Sequence, residues 1–321
     1  MLPECEKFVR ATYNVLLNRD PEPAGLKHWS NALQNGLRRE EFLLAILSSM
    51  ECQEKLEPLA GFSKYQDVDL IIPIQGHQLR VPAADLSLVP NLLDHRCWEP
   101  HLTRYLSLNL KPTDVFADVG ANLGYFTIIC APLVKRIVAF EPVSVTHSYC
   151  KANIALNGLT NVDLYQYGLW NESTDAHIKI DPSSLMEASI SQDGRTSCLE
   201  SIRCVSLDDI INSGELYLPG LDVVKMDIEG AEALALMGME RTIRQSRPKI
   251  LMELNRPSLG RFGKTVDDIW EFFGDVSYKI RAFKHWEEKD PTPVESLEKL
   301  KLMCPSDGLI DILAVPCAST H

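Results

Sequence analysis

The pattern of apolar and polar positions predicts a small helical domain at the start of the chain. One face of the first predicted helix recurs with the 3.6-residue period of an amphipathic helix; it carries Phe8, Val9, Thr12, Tyr13, Leu16 and Leu17. Pro21 and Pro23 end this helix, because proline disfavours helical backbone in the residue before it. A second helix carries Trp29 and a third carries residues 42–47. We therefore predict an all-α domain over residues 1–58.

The next segment is predicted to contain a β-hairpin and two short helices. Strand-like residues on either side of Gln75 predict the hairpin, and helical periods follow near residues 86–93 and 98–108. The stretch 58–61 has the composition of a linker. We assign residues 63–321 to a single second domain.

From residue 115 onward, short apolar strands alternate with helical patterns. Strands are predicted at residues 115–119, 136–140, 162–167, 221–227 and 249–253. This alternation is typical of βαβ units and a parallel sheet. Residues 171–220 interrupt it and predict an antiparallel excursion. Residues 278–283 and 309–315 are predicted as the last two strands, with no convincing helix between them, so we expect them to be antiparallel.

Composition and charge limit the classes of function. The chain is 45% hydrophobic and 24% charged, which is typical of a globular protein. We expect no membrane span, because no apolar run approaches the roughly 18–20 residues needed. The acids near Met1 do not fit a secretory signal, so we expect a cytoplasmic protein. A net charge of −12 argues against a nucleic-acid partner. The nine cysteines contain no C-x-x-C pair, and we expect free thiols.

The first motif with chemical meaning is the turn that follows strand 115–119. It contains Gly120, Asn122 and Gly124, and glycine lets backbone approach a ligand closely while asparagine tolerates left-handed backbone. The helix that follows offers free N–H groups. Asp118 ends the strand, where it either contributes to a ligand site or caps the turn by accepting from backbone N–H groups. A strand, a turn of this kind and a helix start together predict a nucleoside site.

The second motif is the acid at the end of the next strand. Glu141 lies 21 positions after Gly120, and an acid there can accept both hydroxyls of a ribose. The alternative is an ordinary surface acid. Pro142 follows it and could form a flat wall against adenine. Together the two motifs predict an adenosine-containing cofactor.

Acids are predicted at or near four strand ends: Asp118, Glu141, Asp227 and Glu253. Strand ends of a parallel sheet meet at one edge, so these acids should crowd one crevice and raise each other's pKa values. Asp227 could orient the cofactor amine or act as a general base, and with Glu229, Glu253 and Asn255 it could hold a cation such as Mg²⁺. The structural alternative is that Asp227 caps the next helix. We favour a direct role for Asp227 in cofactor binding or catalysis and predict no metal site.

The histidines are isolated and lack zinc-ligand spacing. His285 follows a late strand and is the one most able to reach the crevice. We therefore take Asp227 and His285 as the catalytic candidates.

The order and spacing of five blocks closely resemble the FkbM family of S-adenosylmethionine-dependent methyltransferases. The blocks are residues 116–127, 139–142, 205–210, 224–232 and 250–255. The resemblance covers roughly residues 65–316. It implies a class I methyltransferase fold, which is Rossmann-like α/β with a seven-stranded, mostly parallel sheet and an antiparallel last strand. It also implies methyl transfer from S-adenosylmethionine to a hydroxyl of a sugar, polyketide or other secondary metabolite.

The resemblance also assigns roles to residues. The turn of Asp118, Gly120, Asn122 and Gly124 would hold the methionine part of the cofactor. Glu141 would hold the ribose, and Tyr167 with Gly168 would lie beside the adenine, although Tyr167-Gly168-Leu169 lacks the acid that other class I enzymes often carry there.

Residues 5–56 resemble an uncharacterised bacterial helical domain family. Leu17-Asn-Arg-Asp-Pro21, Gly25 and Trp29 carry this resemblance, and it implies at most a protein partner for this domain. Two other functions stay open for the whole chain. The spacing from Gly120 to Glu141 also suits an NAD(P)-dependent oxidoreductase, and the fold could serve as a non-catalytic cofactor-binding scaffold.

Overall fold

The computed structural model describes residues 3–47, 49, 51–52, 69–83, 85, 87–181, 184–190, 199–283, 290–306 and 308–317. The chain divides into two compact units. The first comprises Met1–Trp98 with Asp181–Met186, and the second comprises Glu99–Ile180 with Glu187–His321. The domain boundary predicted at residues 58–63 falls outside the described residues and stays a prediction.

The first unit begins with the three predicted helices. They are α1 (Glu4–Leu17), α2 (Pro23–Gln34) and α3 (Arg39–Leu47). The buried residues of α1 are the six predicted from the helical period. Phe42 joins the helices, because its ring contacts that of Phe8 at 5.7 Å and that of Trp29 at 5.1 Å between centroids. These edge-to-face contacts are a favourable arrangement of aromatic rings.

The hairpin and the helix after it complete this unit. Strands β1 (Asp69–Ile74) and β2 (His77–Pro82) pair antiparallel. Gln75 and Gly76 both have positive φ, as a type I′ hairpin turn requires. Helix α4 spans Val89–His95.

The second unit is built on an eight-stranded sheet. Its strands are β3 (Val115–Val119), β4 (Arg136–Phe140), β5 (Val162–Tyr165), β10 (Val223–Met226), β11 (Lys249–Asn255), β12 (Tyr278–Ala282), β13 (Thr292–Pro293) and β14 (Leu309–Pro316). Their order is β13-β12-β14-β11-β10-β3-β4-β5. Strands β3, β4, β5, β10 and β11 are parallel, while β14 runs antiparallel to both neighbours. The sheet is therefore the predicted one with a two-residue strand added at its edge.

Helices of the second unit connect and cover these strands. They are α5 (Pro100–Asn109), α6 (Tyr125–Cys130), α7 (Ser144–Leu156), α8 (Leu207–Asn212), α9 (Glu232–Gly238), α10 (Glu240–Ser246), α11 (Arg256–Arg261), α12 (Val266–Asp275) and α13 (Leu297–Met303). In the part of the chain that is described, no helix is long and apolar enough to cross a membrane.

Helix α13 corrects one expectation. No helix was expected between the last two long strands, but α13 lies between β12 and β14. It has seven residues and buries Leu300 alone, so its apolar period is too short to stand out in the sequence. The two strands are antiparallel as expected, but the absence of a helix is not the reason.

Four strands between residues 168 and 205 form a second sheet. Its strands are β6 (Gly168–Leu169), β7 (Thr174–Asp181), β8 (Ser184–Ile190) and β9 (Leu199–Val205), in the order β6-β9-β7-β8. The predicted antiparallel excursion is thus present, with β7 antiparallel to β9. A small cluster of its own packs on this sheet, formed by Val143, Ile178, Ile202 and Cys204.

The strand order places the ligand edge of the main sheet. Strand β3 is the first strand of the main sheet along the sequence. The sheet then extends to one side with β4 and β5, and later to the other side with β10 and β11. Ligands of open parallel sheets bind beyond the carboxyl ends of the strands where the order reverses. That edge carries the residues after β3, β4 and β10.

Candidate active site

The turn after β3 is shaped by its positive-φ residues. Gly120, Asn122 and Gly124 have φ of 80°, 51° and 89°. The N–H of Gly120 donates to Phe140 O at 3.0 Å, so the turn is fixed to the end of β4. A Cβ on Gly120 would lie 2.0 Å from Asp227 O. Only glycine therefore lets the ends of β3 and β10 meet this closely.

Asp118 lies below this turn. Its side chain is buried, and Oδ2 accepts a hydrogen bond from the Thr127 hydroxyl at 2.6 Å. Burial raises the pKa of Asp118, while Lys225 and Thr127 act in the opposite direction. The structural alternative for Asp118 was that it caps the turn after β3. Its hydrogen-bond partner Thr127 lies beyond that turn, in helix α6.

Glu141, the acid at the end of β4, is hydrogen-bonded to the turn after β3. Its Oε2 accepts from the N–H of Asn122 at 2.8 Å. Its Oε1 accepts from the N–H of Val143 at 3.0 Å and from the Thr146 hydroxyl at 2.7 Å. Burial raises the pKa of Glu141, and the three donors lower it. A carboxylate has about four acceptor positions, so Oε2 keeps one for a ligand hydroxyl.

The residues predicted around adenine lie near one another. A Cβ on Gly168 would be 3.8 Å from Pro142 Cβ. The Tyr167 hydroxyl donates to Glu215 at 2.6 Å, and Arg203 lies over the Tyr167 ring at 5.0 Å. The structure thus brings Pro142 and Gly168 to the same side of the β4 end.

Lys225 is a site residue that the sequence argument missed. It is buried in β10, its Nζ donates to Asp227 Oδ2 at 3.1 Å, and it lies 4.9 Å from the Phe126 ring centroid. Burial alone would lower its pKa, but Asp227, Glu99 and Asp118 together raise it above its ordinary value. A lysine inside a four-residue apolar strand was the signal that could have revealed it.

Asp227 is therefore the ion-pair partner of Lys225, and it comes directly after strand β10. It does not cap the next helix, which begins at Glu232. Glu232 holds that loop instead, because its Oε1 accepts from the N–H groups of Ile228 at 3.1 Å and Gly230 at 3.2 Å. Burial raises the pKa of Glu232 to about 7.

A narrow cavity, too tight to enclose a water molecule, opens beside Asp227. Its lining residues are Glu99, Leu102, Lys225, Met226, Asp227, Leu251, Met252, Glu253 and Asp311. Burial raises the pKa of Glu99 to about 8 and that of Glu253 to about 9, and neighbouring carboxylates add to both shifts. The crowding of acids was predicted. The largest cause of the raised pKa values of Glu99 and Glu253 is nevertheless burial, and the neighbouring charges come after it.

Glu99, Asp311 and His101 were not predicted as site residues. Asp311 is the antiparallel partner of Glu253, and its Oδ2 lies 2.7 Å from His101 Nε2. Glu99 precedes α5, and its Oε2 is buried without a hydrogen bond to any described residue. No local motif marks these residues, because helix α5 and strand β14 bring them to the site from distant parts of the sequence.

Two other site predictions concern His285 and a metal ion. His285 lies outside the described residues, so its catalytic role stays a prediction. Among the described residues, no group of three histidine, cysteine or acidic side chains could hold a metal ion.

Fold and site together define a class I methyltransferase. The strand order, the antiparallel β14, the glycine turn after β3 and the acid after β4 are the features expected of that class. A family model described as "Methyltransferase FkbM domain" matches residues 118–280. The chain belongs to the FkbM methyltransferase family. A second model, for a domain of unknown function (DUF4214), matches residues 3–56.

Characterised relatives are also methyltransferases. The hexuronic acid methyltransferase AglP of Haloferax volcanii is 30% identical over 186 residues, which are 58% of this chain and 74% of AglP. The methyltransferase sdnD of Sordaria araneosa is 26% identical over 183 residues, covering 47% of this chain and 70% of sdnD.

Two solved methyltransferase structures are similar to this chain at low identity. An FkbM methyltransferase from Methylobacillus flagellatus is 15% identical, with a TM-score of 0.42, and covers 72% of this chain and 54% of that one. A putative methyltransferase from Streptococcus mutans, solved with SAH, is 9% identical, with a TM-score of 0.38, and covers 67% and 96%.

Proposed function

We propose that this chain is an S-adenosylmethionine-dependent O-methyltransferase that acts on a hydroxyl of a saccharide or a similar small polyhydroxy molecule. The contact between the two cofactor motifs carries this proposal. The N–H of Asn122 donates to Glu141 Oε2 at 2.8 Å. The turn and the acid therefore lie close enough to bind one nucleoside.

Each site residue then receives a role. Gly120, Asn122 and Gly124 provide backbone that can approach the methionine part of the cofactor. Glu141 accepts from a ribose hydroxyl. Asp227 attracts the cofactor ammonium. The bound cofactor supplies a methyl group on a positively charged sulfur.

Pro142 and Gly168 complete the adenine side. Gly168 and Pro142 are neighbours, because a Cβ on Gly168 would be 3.8 Å from Pro142 Cβ and 3.1 Å from Cys204 Sγ. A flat ring can lie against the proline at this position.

Charge supports this cofactor over a nicotinamide dinucleotide. Asp118, Asp227 and Glu253 surround the ligand edge, and Lys225 is already paired with Asp227. A carboxylate at this edge favours a cationic sulfur over a pyrophosphate. Helix α6 is also only six residues long, so its dipole offers little to a pyrophosphate.

The saccharide part of the proposal is supported by one relative. AglP is named a hexuronic acid methyltransferase. Such a sugar offers both hydroxyl and carboxylate oxygens, and we propose a hydroxyl because carboxyl groups line the cavity beside Asp227. Once the pH exceeds the raised pKa values of Glu99 and Glu253, these groups would repel a negatively charged acceptor.

Calorimetric titration with S-adenosylhomocysteine, with NAD⁺ in parallel, tests the cofactor. We expect micromolar binding of S-adenosylhomocysteine alone. Binding of NAD⁺ alone would favour the oxidoreductase, and binding of neither would favour a scaffold. Incubation with labelled S-adenosylmethionine and a panel of neutral, amino and uronic sugars then tests the acceptor. Mild alkali removes a methyl ester but leaves the methyl ether that we expect.

The helical unit stays without an assigned chemistry. Its match is to a domain of unknown function. A protein partner for this unit is a prediction that pull-down with the full chain can test.

A further inference from the structure

We propose that Glu253 is the residue that takes the proton from the acceptor hydroxyl. This inference rests on the proposed function, and it concerns the cavity beside Asp227. It is argued from the hydrogen-bond partners and the exposure of each acid at the site.

The other acids at this edge are already engaged. Asp227 is the ion-pair partner of Lys225 at 3.1 Å. If Asp227 took a proton, a buried ammonium would lose its nearest counter-charge, which is costly. Asp118 is enclosed and bonded to Thr127. Glu141 accepts three hydrogen bonds.

The acids across the cavity are also less available. Asp311 is held by His101 at 2.7 Å, and both side chains are almost fully buried. Glu99 has its Oε2 shielded from solvent. A substrate oxygen cannot reach a shielded atom without displacing protein.

Glu253 differs from all of these. Glu253 and Glu99 both line the cavity and are partly exposed, and neither forms a hydrogen bond or ion pair with another described residue. Glu253, however, has no shielded oxygen of the kind that Glu99 has in Oε2. It lies directly opposite Asp311 on the neighbouring strand. Two carboxylates in such a pair repel each other, so a proton on Glu253 is well tolerated.

The position also matches the reaction. The end of β10 contacts the turn after β3, because Asp227 O lies 2.0 Å from the position that a Gly120 Cβ would take. Strand β11, which carries Glu253, is the next strand along the sheet. During transfer the acceptor oxygen forms a bond to the methyl carbon, the carbon–sulfur bond breaks with its electron pair left on sulfur, and the hydroxyl proton passes to Glu253. The products are a methyl ether, a neutral thioether and a protonated carboxyl.

The groups that face Glu253 determine its titration. Asp227, Asp311, Glu229 and Glu99 all raise its pKa, in addition to burial, which is the largest cause. A cation bound beside Glu253 opposes this shift. Binding of a cationic cofactor should therefore release a proton from Glu253 near its pKa of about 9.

The test measures proton release by calorimetry of the full-length protein in buffers of different ionisation enthalpy, at about pH 8.5. S-adenosylmethionine is cationic and S-adenosylhomocysteine is not, so the difference between them removes the contribution of their shared amino group. We expect more proton release with S-adenosylmethionine in the wild type and a clearly smaller difference in Glu253→Gln, where only weaker contributors such as Glu99 remain. Glu253→Asp keeps a carboxyl and should keep the difference.

Matched variants make the result specific. Glu271→Gln changes an exposed acid on α12 and should behave as the wild type. Glu99→Gln should also retain the difference, and its loss in Glu99→Gln but not in Glu253→Gln would overturn the assignment. Failure of the wild type to bind S-adenosylhomocysteine would instead remove the proposed function itself.

With an acceptor from the sugar panel, Glu253→Gln should lower kcat by about 10²–10⁴ at unchanged affinity for S-adenosylhomocysteine, and full turnover would exclude Glu253 as the base.

Discussion

Glu141 shows at the scale of one residue how a ligand site is prepared. Its carboxyl is buried against three protein donors, those of Asn122, Val143 and Thr146. These bonds fix its orientation before any ligand arrives, so less ordering is required when a ribose binds. They also mean that its removal would affect the turn as well as the ligand.

We predict that Glu141→Gln weakens binding of S-adenosylhomocysteine by at least about tenfold, or about 1.4 kcal/mol. The amide replaces one acceptor oxygen with a donor, which faces backbone N–H groups or the ribose hydroxyl. Calorimetry measures the affinity, and a thermal melt confirms that the variant is folded. Glu271→Gln is the control. Undiminished affinity in a folded Glu141→Gln would remove the ribose assignment.

The sequence revealed some residues of the proposed site and not others. Gly120, Asn122 and Glu141 could be predicted because strand, turn and spacing are local signals. Lys225 could have been found, since a charge inside an apolar strand needs a partner. Glu99 and Asp311 could not, because their place at the site depends on how α5 and β14 pack.

At the scale of elements, the turn after β3 depends on how closely two strand ends approach. Gly120 and Gly230 both have positive φ, and a Cβ on either would meet backbone at 2.0 Å and 2.2 Å. Gly158, at the end of α7, also has positive φ but has nothing within 4 Å of its Cβ position. Substitution of Gly158 therefore reports the cost of left-handed backbone alone, whereas substitution of Gly120 adds a collision with neighbouring backbone.

We predict that Gly158→Ala lowers the free energy of unfolding by about 1–2 kcal/mol, the cost of left-handed backbone in alanine. Gly120→Ala carries the same cost and adds a collision with Asp227 O. We expect it to lose at least about 3 kcal/mol more, or to fail to fold. Urea unfolding of both variants measures this, and equal losses would show that the approach of β3 and β10 is not tight.

The parallel strands were well predicted, because buried strands are continuous apolar runs bounded by turn residues. Strand β3 and strand β4 have the predicted bounds. Helix α13 was missed because one buried leucine gives no readable period. The strand order itself follows from the family resemblance and from packing, since no local pattern places β14 between β11 and β12.

At the scale of the whole molecule, buried acids link stability to pH. The pKa values of Glu232, Glu99 and Glu253 are raised to about 7, 8 and 9. Between the ordinary carboxyl pKa and these values the folded protein binds more protons than the unfolded chain. The slope of stability with pH is then negative, so stability present at low pH is lost as pH rises through about 7–9.

We predict that the free energy of unfolding falls between about pH 5.5 and pH 9. Glu232→Gln should show a smaller fall, because the amide oxygen can still accept from Ile228 and Gly230 without titrating. Urea midpoints across this range provide the measurement, with Glu271→Gln as the control. A wild-type stability that rises with pH would contradict the raised pKa values.

The second sheet has a consequence for how this enzyme can change. Of its residues, Leu169 and Val205 join the main core, while Ile178, Ile202 and Cys204 form a cluster of their own. Most substitutions in β7 and β9 therefore act on this smaller cluster, which meets the cofactor motifs at Val143, the donor to Glu141. Evolution can remodel this segment while the methyl-transfer machinery is inherited intact, and a laboratory library confined to residues 171–204 has the same freedom.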